Sequence, residues 1–326
     1  MKDYKVKLVS MGALTQLPDS QKLFGALVYM FSEEYGSEKA SMLTKALLDK
    51  KIYLALSNVM PFDYFPTPKD YLIDFISESA SKEDKLKEKS VAIKKRSYIK
   101  SEELERVLDK PEDCYSVFPY VELQNQQQLR ASIESIRYDI PELDSKLYSV
   151  PTIALSEISL DKESKEQKKS MNKFHFYLQV DDSNIGADLL DMLKEAAGLK
   201  QTVILGKRAS QGLNTFEFSD IIEQDFRYTP TSLFLNMGML LPNEIDFVSS
   251  KLKLFTSERR PFEVTGGWDK DFTKHYISFI AEGSIISAPS GFVAAGKSIK
   301  SCFNENRDIV FGNAFLYPIL SRERRV

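Results

Sequence analysis

Cysteine and histidine are scarce in this sequence. Its 326 residues include two of each. Cys114 and Cys302 are too few for a disulfide framework or a thiolate metal site. His175 and His275 are too far apart along the chain to indicate a histidine-rich metal site. The composition therefore predicts a protein without a metal centre or a cofactor.

Long apolar segments and an excess of one charge are missing as well. The strongest apolar run, residues 23–31, is much shorter than the roughly 18 residues of a membrane helix. The first five residues carry no apolar signal core. Lys and Arg number 44 against 47 Asp and Glu, a net charge of −3, which argues against a polycation that coats nucleic acid. These absences predict a soluble, cytoplasmic protein that does not enter a membrane.

What is present is the composition of a globular protein with a readable pattern of strands and helices. Hydrophobic residues make up 43% of the 326 positions, and at about 100–200 residues per domain this length predicts two domains. Residues 4–9 alternate and predict a strand, and a capped helix is predicted up to Gly36. A second strand and helix are predicted at 174–180 and 185–199. The order β-α-β, long insertions, β-α-β resembles an enlarged ferredoxin-like unit, followed by a β-rich α+β part.

Charge is segregated between the two predicted β-α-β halves. Residues 82–100 carry eight basic and three acidic side chains, a local net charge of +5. The next stretch, 101–113, carries six acidic and two basic side chains. Residues 77–90 hold almost no apolar side chain and predict a mobile loop.

A basic run with an aromatic neighbour lies in the positive stretch. Lys94, Lys95 and Arg96 are followed by Tyr98. Bases that meet phosphates and a ring that stacks on nucleobases suit a single strand of nucleic acid. A solvated surface face is the simpler alternative, and on these residues alone it is favoured.

A glycine-bounded basic loop at residues 206–212 is a second candidate. Two glycines permit positive φ and let backbone N–H groups approach an anion. Lys207 and Arg208 add charge, and a guanidinium can bind a phosphate in bidentate fashion. Ser210 adds a hydroxyl donor. The alternative is an ordinary loop with solvated basic residues.

A glutamine-rich segment, residues 124–138, contains Arg130 and Arg137 without acidic neighbours that would neutralise them fully. Neutral amides and arginines can line an RNA groove. A plain surface helix or hairpin is the alternative for this segment.

Residues 291–298 match the P-loop pattern G-x-x-x-x-G-K-[ST] at every position, with Lys297 and Ser298 in the phosphate and Mg²⁺ roles. A P-loop opens a parallel α/β sheet, yet only 28 residues of the 326 follow Ser298, and they show no convincing helix. We therefore interpret the match as chance in a strand–turn region and keep a nucleotide binder only as an alternative.

No Ser/His/Asp or Cys/His arrangement is suggested for hydrolysis. His175 alternates within an apolar strand and is interpreted as structural.

Eight segments taken together, in order, resemble one family: the RAMP superfamily of CRISPR proteins, and within it the fourth (Cas five-group) subunit of the type III-A Csm effector complex. The segments are 18–27, 60–68, 94–99, 136–137 with 146–150, 206–216, 257–262, 281–284 and 311–315. Gln21 and Lys22 replace the family's Asp-Thr after a segment that is one residue longer. Asn214 replaces the last glycine of the loop, and asparagine also tolerates left-handed φ.

The resemblance implies two ferredoxin-like, RRM-like domains with antiparallel sheets and long insertions, here 1–222 and 223–326, and a β-hairpin thumb near 120–150. It implies a non-catalytic subunit that grips the 5′ handle of a CRISPR RNA near the target RNA. Such a subunit links the large polymerase-like subunit to the backbone RAMP subunit in antiviral defence.

The family's RNA contacts carry over to particular residues here. The loop contributes Gly206, Lys207, Arg208, Ser210 and Gly212, and the first helix contributes Ser20, Gln21 and Lys22. The remaining predicted RNA-binding residues are Lys94, Lys95, Arg96, Arg137, Arg259 and Arg260. An alternative is a RAMP endoribonuclease that processes CRISPR RNA. Such enzymes usually use a histidine of the first domain as general acid or base, and the first 174 residues contain none.

Overall fold

Helices fall mainly in the first two-thirds of the chain and strands occur throughout. The computed structural model describes residues 1–79, 83–133, 145–226, 231–259, 275–302 and 308–320. The helices are α1 (Ser20–Tyr35), α2 (Ser37–Leu48), α3 (Lys69–Ser79), α4 (Glu83–Lys95), α5 (Leu104–Asp109), α6 (Asn184–Gly198) and α7 (Phe292–Ala295). No helix in these ranges is both long and apolar enough to span a membrane.

The strands of the first two-thirds are β1 (Lys2–Ser10), β2 (Leu54–Leu56), β3 (Met60–Pro61), β4 (Tyr64–Pro66), β5 (Tyr98–Lys100), β6 (Tyr120–Ile133), β7 (Ser145–Leu160), β8 (Glu166–Ser170), β9 (Lys173–Val180), β10 (Thr202–Ile204) and β11 (Thr215–Gln224). Those of the last third are β12 (Leu233–Asn236), β13 (Asp246–Lys251), β14 (Leu254–Arg259), β15 (His275–Ile280), β16 (Ile285–Ser287), β17 (Ile299–Lys300), β18 (Ile309–Val310) and β19 (Leu316–Pro318).

One sheet has the ferredoxin-like order. Its strands run β10-β11-β1-β9-β2, with β3 beside β9, and its ladders are antiparallel. Helix α1 follows β1 and helix α6 follows β9, so the core reads β-α-β-β-α-β. This confirms the predicted α+β fold class, and the insertion between β2 and β9 builds the rest of the first part.

The residues that predicted β1 and α1 have the expected burial and hydrogen bonds in the structure. On β1, Tyr4, Val6 and Leu8 are at most 4% exposed, whereas the lysines between them are half-buried. Asp19 caps α1 by accepting a hydrogen bond of 2.9 Å from the backbone N–H of Lys22. The helix ends at Gly36, whose φ of +88° suits a residue without Cβ.

The prediction of a mobile loop over residues 77–90 is wrong for 77–79 and 83–90, and residues 80–82 lie outside the described residues. Helix α3 continues to Ser79 and α4 begins at Glu83. On α4, Ile93 is fully buried and Leu86, seven residues earlier, packs on the same core. Two apolar side chains on one face anchor this helix, while Lys87, Glu88, Lys94 and Lys95 are exposed to solvent.

A long hairpin occupies the region where a thumb was expected. Strands β6 and β7 pair from Tyr120↔Ile158 to Ile133↔Ser145 without a register shift. They belong to a second antiparallel sheet with the order β4-β5-β6-β7-β8. The hairpin part of the thumb prediction is confirmed, while residues 134–144, including Arg137, lie outside the described residues.

The last third is β-rich, as predicted, with the four-residue α7 as its helix in the ranges described after residue 231. Its main sheet has the order β13-β16-β12-β19. It packs closely on the first part, since Phe24 of α1 stacks on Phe311 with ring centroids 4.3 Å apart. The predicted domain boundary between residues 222 and 223 falls inside β11, which pairs with β1 as far as Gln224.

Candidate nucleic-acid interface

The glycine-rich loop between β10 and β11 has an unusual backbone. Arg208, Gly212 and Asn214 have φ values of +65°, +71° and +58°. Residues other than glycine seldom adopt positive φ. The loop contains one short 3₁₀ turn over Ala209–Gln211, so its shape is fixed by contacts from outside.

Asn214 provides those contacts. It is fully buried, its Oδ1 accepts a hydrogen bond of 2.8 Å from the N–H of Thr15, and its Nδ2 donates one of 2.8 Å to the carbonyl of Lys207. A Cβ on Gly206 would lie 2.8 Å from Asn214 Nδ2, so this glycine is required. The asparagine therefore ties the loop to the segment after β1.

The hairpin of β6 and β7 touches the same place. The backbone N–H of Ile153 on β7 donates to the carbonyl of Leu14 at 2.7 Å, next to Thr15. On β6, an Nη1–H of Arg130 donates to Gln211 Oε1 at 3.1 Å, and Arg208 donates to the same oxygen at 3.5 Å. Two guanidinium groups thus share one neutral acceptor.

Neither arginine is neutralised locally, because neither Arg130 nor Arg208 forms an ion pair with a carboxylate among the described residues. Two adjacent uncompensated guanidinium groups attract an anion with several acceptor oxygens, such as a phosphodiester. Sequence reasoning noted Arg130 but did not join it to the loop. It missed Gln211 and Thr15 as supporting residues altogether.

Lys207 and Lys22 line one groove of about 1340 Å³ between α1, α6 and β10. The fold thus brings the start of α1 and the glycine-rich loop to one groove. Lys22 also pairs with Asp19, which leaves less of its charge for a ligand. Gln21 is half-buried and lines a neighbouring groove of about 910 Å³.

Ser20 is not available to RNA, which corrects its prediction. It is fully buried, its N–H donates to Asn58 Oδ1 at 2.8 Å, and its Oγ accepts from the N–H of Met239 at 3.0 Å. It is a structural joint between α1 and the last third of the chain.

Arg96 is corrected for a similar reason. The side chain is 3% exposed, and it donates to the carbonyls of Val117 and Ala92 at 3.2 and 2.8 Å. Its guanidinium lies 4.3 Å from the ring centroid of Tyr120. Burial lowers the pKa of Arg96. These contacts hold α4 to β6, so the guanidinium serves the fold, although it borders the cleft beside Lys95.

The remaining predicted basic residues lie elsewhere. Lys94 and Lys95 are exposed at the end of α4, and Lys95 lines a cleft with Tyr115 and Phe118. Arg259 is the last residue of β14, opposite His275. Arg260 lies outside the described residues.

The P-loop match does not have P-loop geometry. The helix after Gly291 is the four-residue α7, and Ser298 is followed by β17, which pairs antiparallel with β18. Ser298 Oγ accepts a hydrogen bond of 3.3 Å from the N–H of Gly312. A phosphate cradle needs a long helix at this point, so the geometry favours a chance match.

His175 is fully buried, with ring centroids 5.9 Å from Phe62 and 5.0 Å from Tyr177. Burial holds its pKa well below the usual value. Its interpretation as a structural residue is confirmed. In the described ranges no group of three or more His, Cys, Asp or Glu side chains is placed to hold a metal ion.

No protein-family model and no curated protein matches this sequence. Solved structures do match, and they share with this chain a mixed α/β fold with several antiparallel sheets. The matched subunit is Csm4. In the Csm1-Csm4 cassette in complex with pppApA, it is 16% identical, with a TM-score of 0.56, and the match covers 99% of this chain and 100% of that chain.

Two further structures agree. The cassette in complex with cA4 matches with 16% identity, 98% coverage of each chain and a TM-score of 0.56. The Csm3-Csm4 subcomplex in the type III-A CRISPR-Cas interference complex matches with 16% identity, coverage of 98% and 100%, and a TM-score of 0.54. This chain therefore has the fold that the sequence resemblance implied, over nearly its whole length.

Proposed function

We propose that this chain is a Csm4-like RAMP subunit of a type III-A CRISPR effector complex and that it binds the 5′ handle of the CRISPR RNA. The fold shared with Csm4 along the full chain supports the class. The neighbours are bound to Csm1 and Csm3, which supports a large polymerase-like subunit and a backbone RAMP subunit as partners here. The role in this proposal is non-catalytic, with the target RNA held nearby by the partner subunits.

The observation that carries RNA binding is the convergence of Arg208 and Arg130 on Gln211. Single-stranded RNA is held by phosphate contacts together with stacking and base-edge contacts. The guanidinium of Arg208 on the rigid loop and that of Arg130 on β6 provide phosphate contacts without a rearrangement, since Asn214 already fixes the loop backbone. The neighbouring groove beside Lys207 gives the strand a path along α1.

The endoribonuclease alternative has less support. It needs a general acid or base within reach of the RNA, and His175, the histidine of the ferredoxin-like sheet, is buried under aromatic rings. The nucleotide-binding alternative has less support as well, because residues 291–298 do not form a phosphate cradle.

The test uses the chain co-expressed with its large and backbone subunits and a CRISPR RNA. The variant is Arg130→Ala with Arg208→Ala, and the control is Arg106→Ala, which changes an exposed arginine of α5 that pairs with Glu103. Each lost phosphate contact lowers the salt slope of binding by about 1, so the double variant should lose about 2 and retain less RNA. The proposal fails if RNA retention and salt dependence match those of the control.

A further inference from the structure

A second cavity, separate from the glycine-rich loop, lies where the first part of the chain meets the last third. Its volume is about 300 Å³. The start of α3, the end of α4 and β5 form one side, and residues 253 and 282–283 form the other. Lys69 and Lys253 both line it.

The two lysines are not paired with carboxylates. Neither forms an ion pair with an acidic side chain among the described residues. The ammonium of Lys69 donates one hydrogen bond, of 2.7 Å, to the carbonyl of Lys94. Burial and the nearby charge of Lys253 lower the pKa of Lys69 to about 8. An anion between the lysines would relieve both effects.

The buried acid in the cavity wall, Glu282, already has hydrogen-bond partners. Glu282 accepts hydrogen bonds from Asn58 Nδ2 at 2.9 Å and from the Tyr98 hydroxyl at 3.0 Å, one on each carboxyl oxygen. Burial raises the pKa of Glu282, while these hydrogen bonds and the charge of Lys253 act in the opposite direction. Both carboxyl oxygens are thus engaged by Asn58 and Tyr98, and neither forms an ion pair with Lys69 or Lys253. Asp70 also lines the cavity and is exposed to solvent.

One polar group in the wall has no partner. Thr67 is 4% exposed, and its buried Oγ1 makes no hydrogen bond in the described part of the chain. A buried hydroxyl without a partner is costly, and an acceptor oxygen in the cavity would satisfy it. Helix α3 begins two residues later, at Lys69, and a helix N-terminus favours negative charge.

We propose that this cavity binds a phosphate group, with Lys69 and Lys253 supplying charge, Thr67 a hydroxyl donor and the start of α3 its backbone dipole. The phosphate is either a free phosphate or a phosphodiester of a bound RNA strand. The site goes beyond the function proposed above, since it uses none of the residues of the glycine-rich loop.

The first experiment measures the melting temperature of the full chain in inorganic phosphate and in chloride at equal ionic strength. Phosphate at ten times its Kd should raise the Tm by about 2–4 °C. Lys253→Gln and Thr67→Val should remove most of this rise, and so should Lys69→Met. The control Lys110→Gln, at an exposed lysine after α5, should keep it, and so should Arg208→Ala.

The outcomes separate the two sites and the two sources of phosphate. Loss of RNA retention in Arg208→Ala with an intact phosphate response supports both proposals independently. If Lys253→Gln also lowers the salt slope of RNA binding by about 1, the ligand is a phosphodiester; an unchanged slope identifies free phosphate. The proposal is overturned if phosphate raises the Tm of Lys253→Gln as much as that of the unmodified chain, or raises neither. Because Lys253 is exposed, this variant remains decisive even where Lys69→Met fails to fold.

Discussion

The glycine-rich loop and the end of α4 carry basic clusters of similar sequence, but the fold uses them differently. Lys207 and Arg208 stand on a loop whose backbone is held by Asn214, and Arg208 meets the guanidinium of Arg130, which has no carboxylate partner among the described residues. At the end of α4, Arg96 turns inward to cap carbonyls and stack on Tyr120. The number of basic residues in a segment therefore does not predict which way their side chains point. The contacts that each side chain makes in the fold decide this.

The largest effect is expected when the inward arginine is removed. Arg96→Met leaves the carbonyls of Val117 and Ala92 without their donors, so we expect a loss of about 3 kcal/mol in unfolding free energy. The exposed neighbour, Lys95→Met, should change it by about 0.5 kcal/mol or less. Urea denaturation measures both. Equal stability of the two variants would remove the contrast between the clusters.

The next effect concerns the residue that fixes the loop. Asn214→Ala loses the hydrogen bonds to Thr15 and Lys207 and places a Cβ residue without local polar support at positive φ, so we expect about 2–3 kcal/mol of destabilisation. Asn214→Gly loses the same bonds without the backbone strain and should cost less. Denaturation gives the stability, and RNA retention should fall in both. Equal costs for alanine and glycine would show that the backbone at this position carries no strain.

The smallest effect is a pH dependence from His175. Its folded pKa is lowered by burial, so the unfolded chain binds the extra proton once the pH drops below about 6.5. The free energy of unfolding should then be unaffected by His175 above that pH and should fall by up to about 1.4 kcal/mol per pH unit below it. His175→Phe should flatten the profile between pH 6.5 and 5 relative to the unmodified chain. An identical slope in the variant would assign the pH dependence to other groups.

Much of the ferredoxin-like unit is predictable because its signals are local. The alternation on β1, the cap at Asp19 and the glycine that ends α1 each depend on a few adjacent residues. The loop at residues 206–212 is also local, since glycines and basic residues mark it directly.

The failures share a different cause. Ser20 is buried and hydrogen-bonded to Met239, which lies in the last third of the chain. Arg96 packs on Tyr120 at the start of β6. The bonds of Asn214 with Thr15 and of Arg130 with Gln211 span 199 and 81 residues. Such contacts depend on how the sheets pack against each other, so the spacing of residues along a single sequence does not predict them.

The hairpin of β6 and β7 has a mechanical consequence. At about 3.3 Å per residue, its 14-residue strand extends over about 45 Å. It is fastened to the body at its base by sheet pairing, at Leu14 partway along, and at Gln211 near the far end of β6. Because of these attachments, a displacement of the outer part of β6 would strain the contact of Arg130 with Gln211 and, through it, the glycine-rich loop.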